Sequence, residues 1–273
     1  MTTHADEPYP DRTPTPTPSP PTTRPLALVT GVGRTVGIGA GIARRLAASG
    51  WDIAFTYWTP YDARMSWGAE SGATEAITRS LAGQGAASTA IEADLADPDT
   101  PAHVFDEVGR RMGGAPVTAL VMCHCESVDS GLLDTTLESF DRHFAVNARA
   151  TWLLIREFGR RFAATPGTGR IIGLTSDHTV GNLPYGASKG ALDRITLAAA
   201  RELSHLGVTA NVINPGPVDT GWMSEEARTN IIRHTPSARL GTPQDTAHLV
   251  DFLCSGEGQW INGQLLKSDG GLG

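Results

Sequence analysis

The chain has 273 residues, 40% hydrophobic and 19% charged, with a formal net charge of −7, which suits one sizeable core in a single large α/β domain. Its basic residues are dispersed, leaving no electrostatic footprint for a nucleic acid or an anionic membrane surface, and no apolar run approaches the ~20 residues needed to span a bilayer. The N-terminus lacks the basic and apolar regions of a secretory signal, and Cys123, Cys125 and Cys254 fit no disulfide scaffold, so a soluble, cytoplasmic protein is expected.

Residues 1–24, MTTHADEPYPDRTPTPTPSPPTTR, contain hardly any aliphatic side chain and cannot offset their ordering entropy by burial. They read as a disordered or polyproline II tail ahead of a folded domain at 25–273. From there, apolar runs at 26–30, 52–58, 87–95, 117–123, 170–176 and 208–216 read as buried strands. Amphipathic stretches lie between them; in 39–49, for example, Ile42, Ala43, Leu46 and Ala47 share a helix face and Gly50 can end it. This alternation predicts right-handed crossovers and a Rossmann-type doubly wound parallel sheet, three layers α/β/α in one domain.

Ligands of such a sheet bind outside the carboxyl ends of its strands. There the segment TGVGRTVGIGAG (30–41) follows the first strand and opens the first helix. Gly31, Gly37 and Gly39 would allow a tight turn and close approach to a pyrophosphate, which a helix N-terminus favours. Further along, YGASK (185–189) sets Tyr185 and Lys189 four residues apart, on one helix face, in a chain with only one other lysine, Lys267. A phenol, with a reference pKa of ~10, needs a nearby cation to serve as an acid–base group at neutral pH. Ser176 ends the fifth apolar run, where its hydroxyl could bond a substrate oxygen. Asn147 lies inside a helical pattern that does not favour Asn for its own sake; a buried Asn satisfying backbone groups is the alternative reading.

In this order the glycine segment, Asp94-Leu95, Asn147, Ser176, YGASK, NPGPVDT (214–220) and the closing WINGQLLKSDGG (260–271) resemble the short-chain dehydrogenase/reductase family across 26–273. The resemblance implies hydride transfer between a nicotinamide cofactor and a ketone or secondary alcohol, as in the similar 3-oxoacyl-carrier-protein reductases and polyketide-type ketoreductases. It implies that Tyr185 is the acid/base and Ser176 orients the carbonyl. Lys189 would lower the phenol pKa and hold ribose hydroxyls, and Asn147 would support a proton-relay water. Cofactor contacts are implied at Gly31, Arg34, Gly37, Ile38, Gly39, Asp94, Leu95, Lys189, Pro215, Gly216, Val218 and Thr220. A homo-oligomer, tetramer or dimer, and a lid at 221–236 carrying Trp222 and Met223 are implied as well. The other class of function is a catalytically quiet dinucleotide-binding sensor or partner protein.

Three features depart from the family pattern. The segment MCHC (122–125) stands where Asn-Asn-Ala-Gly is usual, so Cys123, His124 and Cys125 either reshape the site or are ordinary strand-end residues. Cys-x-Cys without further ligands does not call for zinc, and no metal is required. Ser176 precedes Tyr185 by nine residues, a short loop for this family, and the glycine loop carries two extra residues, a trait of enoyl reductases in the same superfamily. The Tyr-x-x-x-Lys spacing nevertheless favours carbonyl chemistry. The second strand runs into FTYWTPYDAR (55–64) with no acid at its end, so NADP(H) is favoured, with Arg34 the nearest cation for a 2′-phosphate and NAD(H) the second choice.

Overall fold

The computed structural model describes residues 24–273, so residues 1–23 of the Pro/Thr-rich segment lie outside the described residues. Arg24, the last residue of that segment, is already tied down: its guanidinium donates to the carbonyls of Ala47 (2.5 Å) and Trp51 (2.8 Å) and pairs with Asp52.

Seven strands form one sheet: β1 (Leu26–Thr30), β2 (Asp52–Tyr57), β3 (Ser88–Glu92), β4 (Val117–Met122), β5 (Arg170–Leu174), β6 (Thr209–Asn214) and β7 (Leu265–Lys267). Their order is β3-β2-β1-β4-β5-β6-β7, and every pairing is parallel. The helices are α1 (Ile38–Ala48), α2 (Thr59–Arg64), α3 (Ala73–Ala82), α4 (Thr100–Arg111), α5 (Leu137–His143), α6 (Ala150–Arg161), α7 (Leu183–Glu202), α8 (Glu225–His234) and α9 (Pro243–Cys254). The expected doubly wound α/β/α domain is therefore present.

Successive strand residues point to opposite faces, and both faces are covered, which is why the strands are continuous apolar runs. Ala27 and Val29 of β1, with Ile53 and Phe55 of β2, pack against Ile42 and Leu46 of α1, Ile77 and Leu81 of α3 and Val250 of α9. The intervening Leu26, Leu28 and Ala54 pack instead with Val104 of α4, Leu154 and Phe158 of α6 and Ala199 of α7. Each face thus has its own core, and Ala27 to Thr30 of β1 and Ala119 to Met122 of β4 are completely removed from water.

Several strands stop short of their apolar runs. β5 ends at Leu174, two residues before Ser176, and β3 ends at Glu92, before Asp94. The departing segments form the walls of the crevice at the carboxyl ends, which opens where the winding reverses between β1 and β4. Asn147 also departs from expectation: it lies in a π-helical segment, Phe144–Arg149, inserted between α5 and α6. Such one-turn insertions recur at functional sites.

Candidate active site

The glycine loop is shaped by close approaches. Gly31 has φ +74°, and a Cβ there would lie 2.6 Å from the backbone nitrogen of His124. Gly39 folds back on Gly31, with a built Cβ only 2.9 Å from the Gly31 carbonyl. Gly37 caps α1 with no side-chain hydrogen bond, and no acid occupies the first turn, which begins at Ile38. The first N–H groups of α1 therefore retain their donor capacity and positive potential, a donor set that fits a diphosphate.

Around this loop lie the other expected cofactor contacts. Arg34 donates to the Thr220 carbonyl at 2.8 Å and rests over the Trp67 ring, 4.9 Å from its centroid. Asp94 accepts from the Ala96 N–H at 3.0 Å and pairs with Arg142 at 3.5 Å. Leu95 is 5% exposed and sits in the core with Val104 and Phe105. Beyond β6, Pro215 is buried, Gly216 has φ +62° and packs against Asp269, and Val218 bridges to Gly241. In the expected lid, Met223 is buried against the body while Trp222 is half-exposed, and α8 buries no residue.

Tyr185 and Lys189 occupy the first turns of α7, which Pro184 helps to start. Lys189 is buried; its Nζ donates to the Leu174 carbonyl at 2.8 Å and reaches the His124 carbonyl at 3.5 Å, lying 5.8 Å from the Tyr185 ring centroid. Desolvation pushes the ammonium's pKa down, opposed by Cys125, Cys123 and Asp193. In the chain by itself, burial rather than a charge sets the direction in which the phenol moves. Desolvation, and then the Cys125 thiol, push the Tyr185 phenol above its ordinary value, with the Ser176 hydroxyl pulling the other way. The ammonium is occupied by main-chain carbonyls, and burial decides the sign. Ser176 is half-buried, and its Oγ accepts from the His178 N–H at 3.2 Å.

Asn147 is completely buried and saturated. Its Oδ1 accepts from Glu126 N at 2.8 Å, while its Nδ2 donates to the Glu126 carbonyl and to Ser188 Oγ, both at 2.9 Å. Ser188 in turn donates to the Tyr185 carbonyl at 2.8 Å. Asn147 therefore joins the segment after β4 to the helix carrying Tyr185.

The MCHC segment divides in two. His124 is buried, and its Nδ1 lies 2.7 Å from Thr30 Oγ1, which also accepts from the N–H groups of Cys123 (3.2 Å) and His124 (3.4 Å). Desolvation, reinforced by the Lys189 charge, holds this imidazole down to about 3, so it is neutral; with Thr30 Oγ1 already accepting two N–H groups, the tautomer that lets the threonine donate to Nδ1 satisfies the set. His124 and Cys123 bind β4 to β1. Cys125 instead stands beside two phenols, Tyr61 and Tyr185.

Several residues at the site escape notice in the sequence. One acid does reach the glycine loop, from α2 rather than from the end of β2: Asp62 is 8% exposed, accepts from Trp67 Nε1 at 2.9 Å, and lies against Gly33. Burial raises its pKa, with Trp67 and Arg34 opposing. Tyr61, Arg64 and the buried Glu126 join it, Arg64 pairing with both Glu126 oxygens. The signal was Thr59-Pro60, since Pro in a first turn starts a helix and turns the chain back over the crevice.

Fold and site together define a nicotinamide-dependent oxidoreductase built on a doubly wound sheet. The family model described as enoyl-(acyl carrier protein) reductase matches residues 31–273. An uncharacterized oxidoreductase of Bacillus subtilis is 35% identical over 252 residues, covering 90% of this chain and 96% of its own. An NADPH-dependent aldehyde reductase of Arabidopsis thaliana is 34% identical, covering 90% and 93%. Among solved structures, a blue fluorescent protein from a metagenomic library in complex with NADPH superposes with TM-score 0.80 at 34% identity, over 91% of this chain and 97% of that one. The angucycline C-6 ketoreductase LanV with bound NADP gives TM-score 0.80 at 29% identity, over 91% and 95%. The chain belongs to the short-chain dehydrogenase/reductase family.

Proposed function

We propose that the protein reduces a ketone with NADPH, Tyr185 giving the proton. The observation that carries this reading is the convergence of the Tyr185 phenol, the Ser176 hydroxyl and the buried Lys189 ammonium at the carboxyl ends of β4 and β5. When bound, the cofactor supplies the hydride for the carbonyl carbon. Ser176 then orients the carbonyl oxygen, and the Tyr185 O–H protonates the forming alkoxide. Because the phenol is raised, its proton is retained throughout the neutral range. Lys189 holds α7 to β5 and offers its one remaining ammonium proton to a ribose hydroxyl. Asn147, with its side chain saturated, is a positioning residue for the Tyr185 turn. Gly31, Gly37 and Gly39 shape the diphosphate cradle, and Arg34 is the cation for a 2′-phosphate; the NADPH and NADP of the related proteins support this choice over NAD(H).

Exposed Leu132, Leu133, Val180 and Trp222, on loops after β4, β5 and β6, support a bulky apolar or acyl ketone. A homo-oligomer is supported by a groove between α7 and the π-helical turn, in which Phe144, Ala148, Trp152 and Ile195 give an apolar floor flanked by Asp141 and Arg149, with Trp152 half-exposed. Light scattering on Trp152→Glu should report a smaller assembly than the parent. The three unpaired cysteines support a reducing, cytoplasmic setting. Among the described residues no helix is long and apolar enough to cross a membrane.

The test is single-turnover oxidation of NADPH and NADH with a panel of ketones and 3-oxoacyl thioesters. Tyr185→Phe should bind cofactor normally and lose ~10²-fold or more in rate. In the oxidative direction the parent's rate should climb with pH beyond 9, because the raised phenol must deprotonate to act as base. Tight cofactor binding without turnover of any substrate, in either protein, would favour the sensor reading instead.

A further inference from the structure

The segment from Trp58 to Glu70 does not stay on its own side of the crevice. On the glycine-loop side, Asp62 Oδ2 takes the space left by Gly33, 2.5 Å from where a Cβ would stand. Trp67 lies under the Arg34 guanidinium, and Glu70 accepts from Thr35 N at 2.8 Å and Thr35 Oγ1 at 2.6 Å. On the opposite side, the Tyr61 phenol meets the Cys125 side chain, and Arg64 clasps the Glu126 carboxylate. The segment is also braced internally: Arg64 packs on the Tyr61 ring at 5.2 Å, Tyr61 meets Trp67 edge-on at 6.2 Å, and Trp67 holds Asp62. It therefore joins the two walls between which a dinucleotide lies in this fold.

Two features oppose simultaneous occupancy. The Asp62 carboxylate faces the loop and the Arg34 cation that cofactor phosphates would claim. The Tyr61 phenol lies against the Cys125 side chain and within electrostatic reach of Tyr185, so it competes for the same side of the crevice. What fastens the segment is polar: α2 buries only Asp62, so no apolar core holds it down, and local opening is accessible. We propose that residues 58–70 form an autoinhibitory strap that closes the dinucleotide crevice in the free enzyme, and that the cofactor enters once the Arg64–Glu126 clasp and the Asp62 contact release. This rests on the reading of the protein as a nicotinamide-dependent enzyme.

The test is stopped-flow binding of NADPH, followed by its own fluorescence, to the parent, Arg64→Gln and Asp62→Asn. A strap makes the observed rate level off at high NADPH, at the rate of opening. Arg64→Gln removes one charge of the clasp while Arg142, 3.3 Å from Glu126, keeps that buried carboxylate paired and the fold intact. The plateau should rise about tenfold and the Kd fall by a similar factor. Asp62→Asn should tighten binding as well, since it keeps the shape and removes the competing charge. Rates that rise linearly with one slope in all three proteins overturn the strap, as does weaker binding by Asp62→Asn, which would make Asp62 a cofactor ligand. Those results leave the nicotinamide reading standing. Failure of all three proteins to bind NADPH or NADH overturns both.

Discussion

Asn147 offers a sharp test of whether the site is held together by the contacts described. Replacing it with Ala removes an acceptor from the Glu126 N–H and a donor from the Glu126 carbonyl, at a position with no solvent exposure. Each buried polar group left without a partner costs about 1–3 kcal/mol, so two such groups give an expected loss of about 2–6 kcal/mol. For a domain of this size, at about 2–4 °C per kcal/mol, the melting temperature should fall by about 4–24 °C. Urea unfolding of the cofactor-free protein measures the loss, and an unchanged m-value would tie it to the native state. The third bond, to Ser188, runs on to the Tyr185 turn, so kcat should fall while cofactor binding is largely kept. A stability loss below about 1 kcal/mol would refute this account, and abolished turnover alongside it would return Asn147 to a purely proton-relaying role.

Two further outcomes follow from the same geometry. The His124 imidazole is held at about 3, so below its ordinary value of ~6.5 the unfolded chain takes up a proton that the folded chain refuses. Stability should therefore decline as pH falls from about 6.5 toward 3, by up to ~1.4 kcal/mol per pH unit. Above that window the residue is neutral in both states and contributes no slope. His124→Gln should remove this part of the pH dependence in denaturant titrations; an identical slope in both proteins would contradict the assignment. At Gly31, φ +74° alone makes Ala cost about 1–2 kcal/mol. The added Cβ also collides with the backbone of Cys123 and His124, so chemical denaturation should show a larger loss for Gly31→Ala than for Gly190→Ala, where nothing lies within 4 Å.

Much of the molecule is legible in its residues taken in order. The buried strands follow from apolar runs, because a parallel sheet covered on both faces needs them continuous. Thr30 to Gly39 announces a tight strand-to-helix turn because the glycines relieve steric limits that are local to the backbone. Tyr185 and Lys189 share a face because their spacing is set by the helix itself. Leu95 shows what a motif leaves open: it follows Asp94 in the expected place, and the fold packs its side chain with Val104 and Phe105.

What the sequence alone determined, then, were properties fixed over a few residues: the strand and helix periods, the glycine turn, and one helix face with a phenol and an ammonium. Tertiary structure decided what those groups feel. It spent the Lys189 ammonium on the carbonyls of Leu174 and His124 and let burial raise the Tyr185 phenol. It turned Asn147 into a brace between Glu126 and Ser188, across sequence separations of 21 and 41 residues. It also brought α2 across the crevice, so that Asp62 faces the glycine loop and Arg64 meets Glu126. Desolvation and charge pairing depend on which groups are brought close together through space, and no local pattern encodes that.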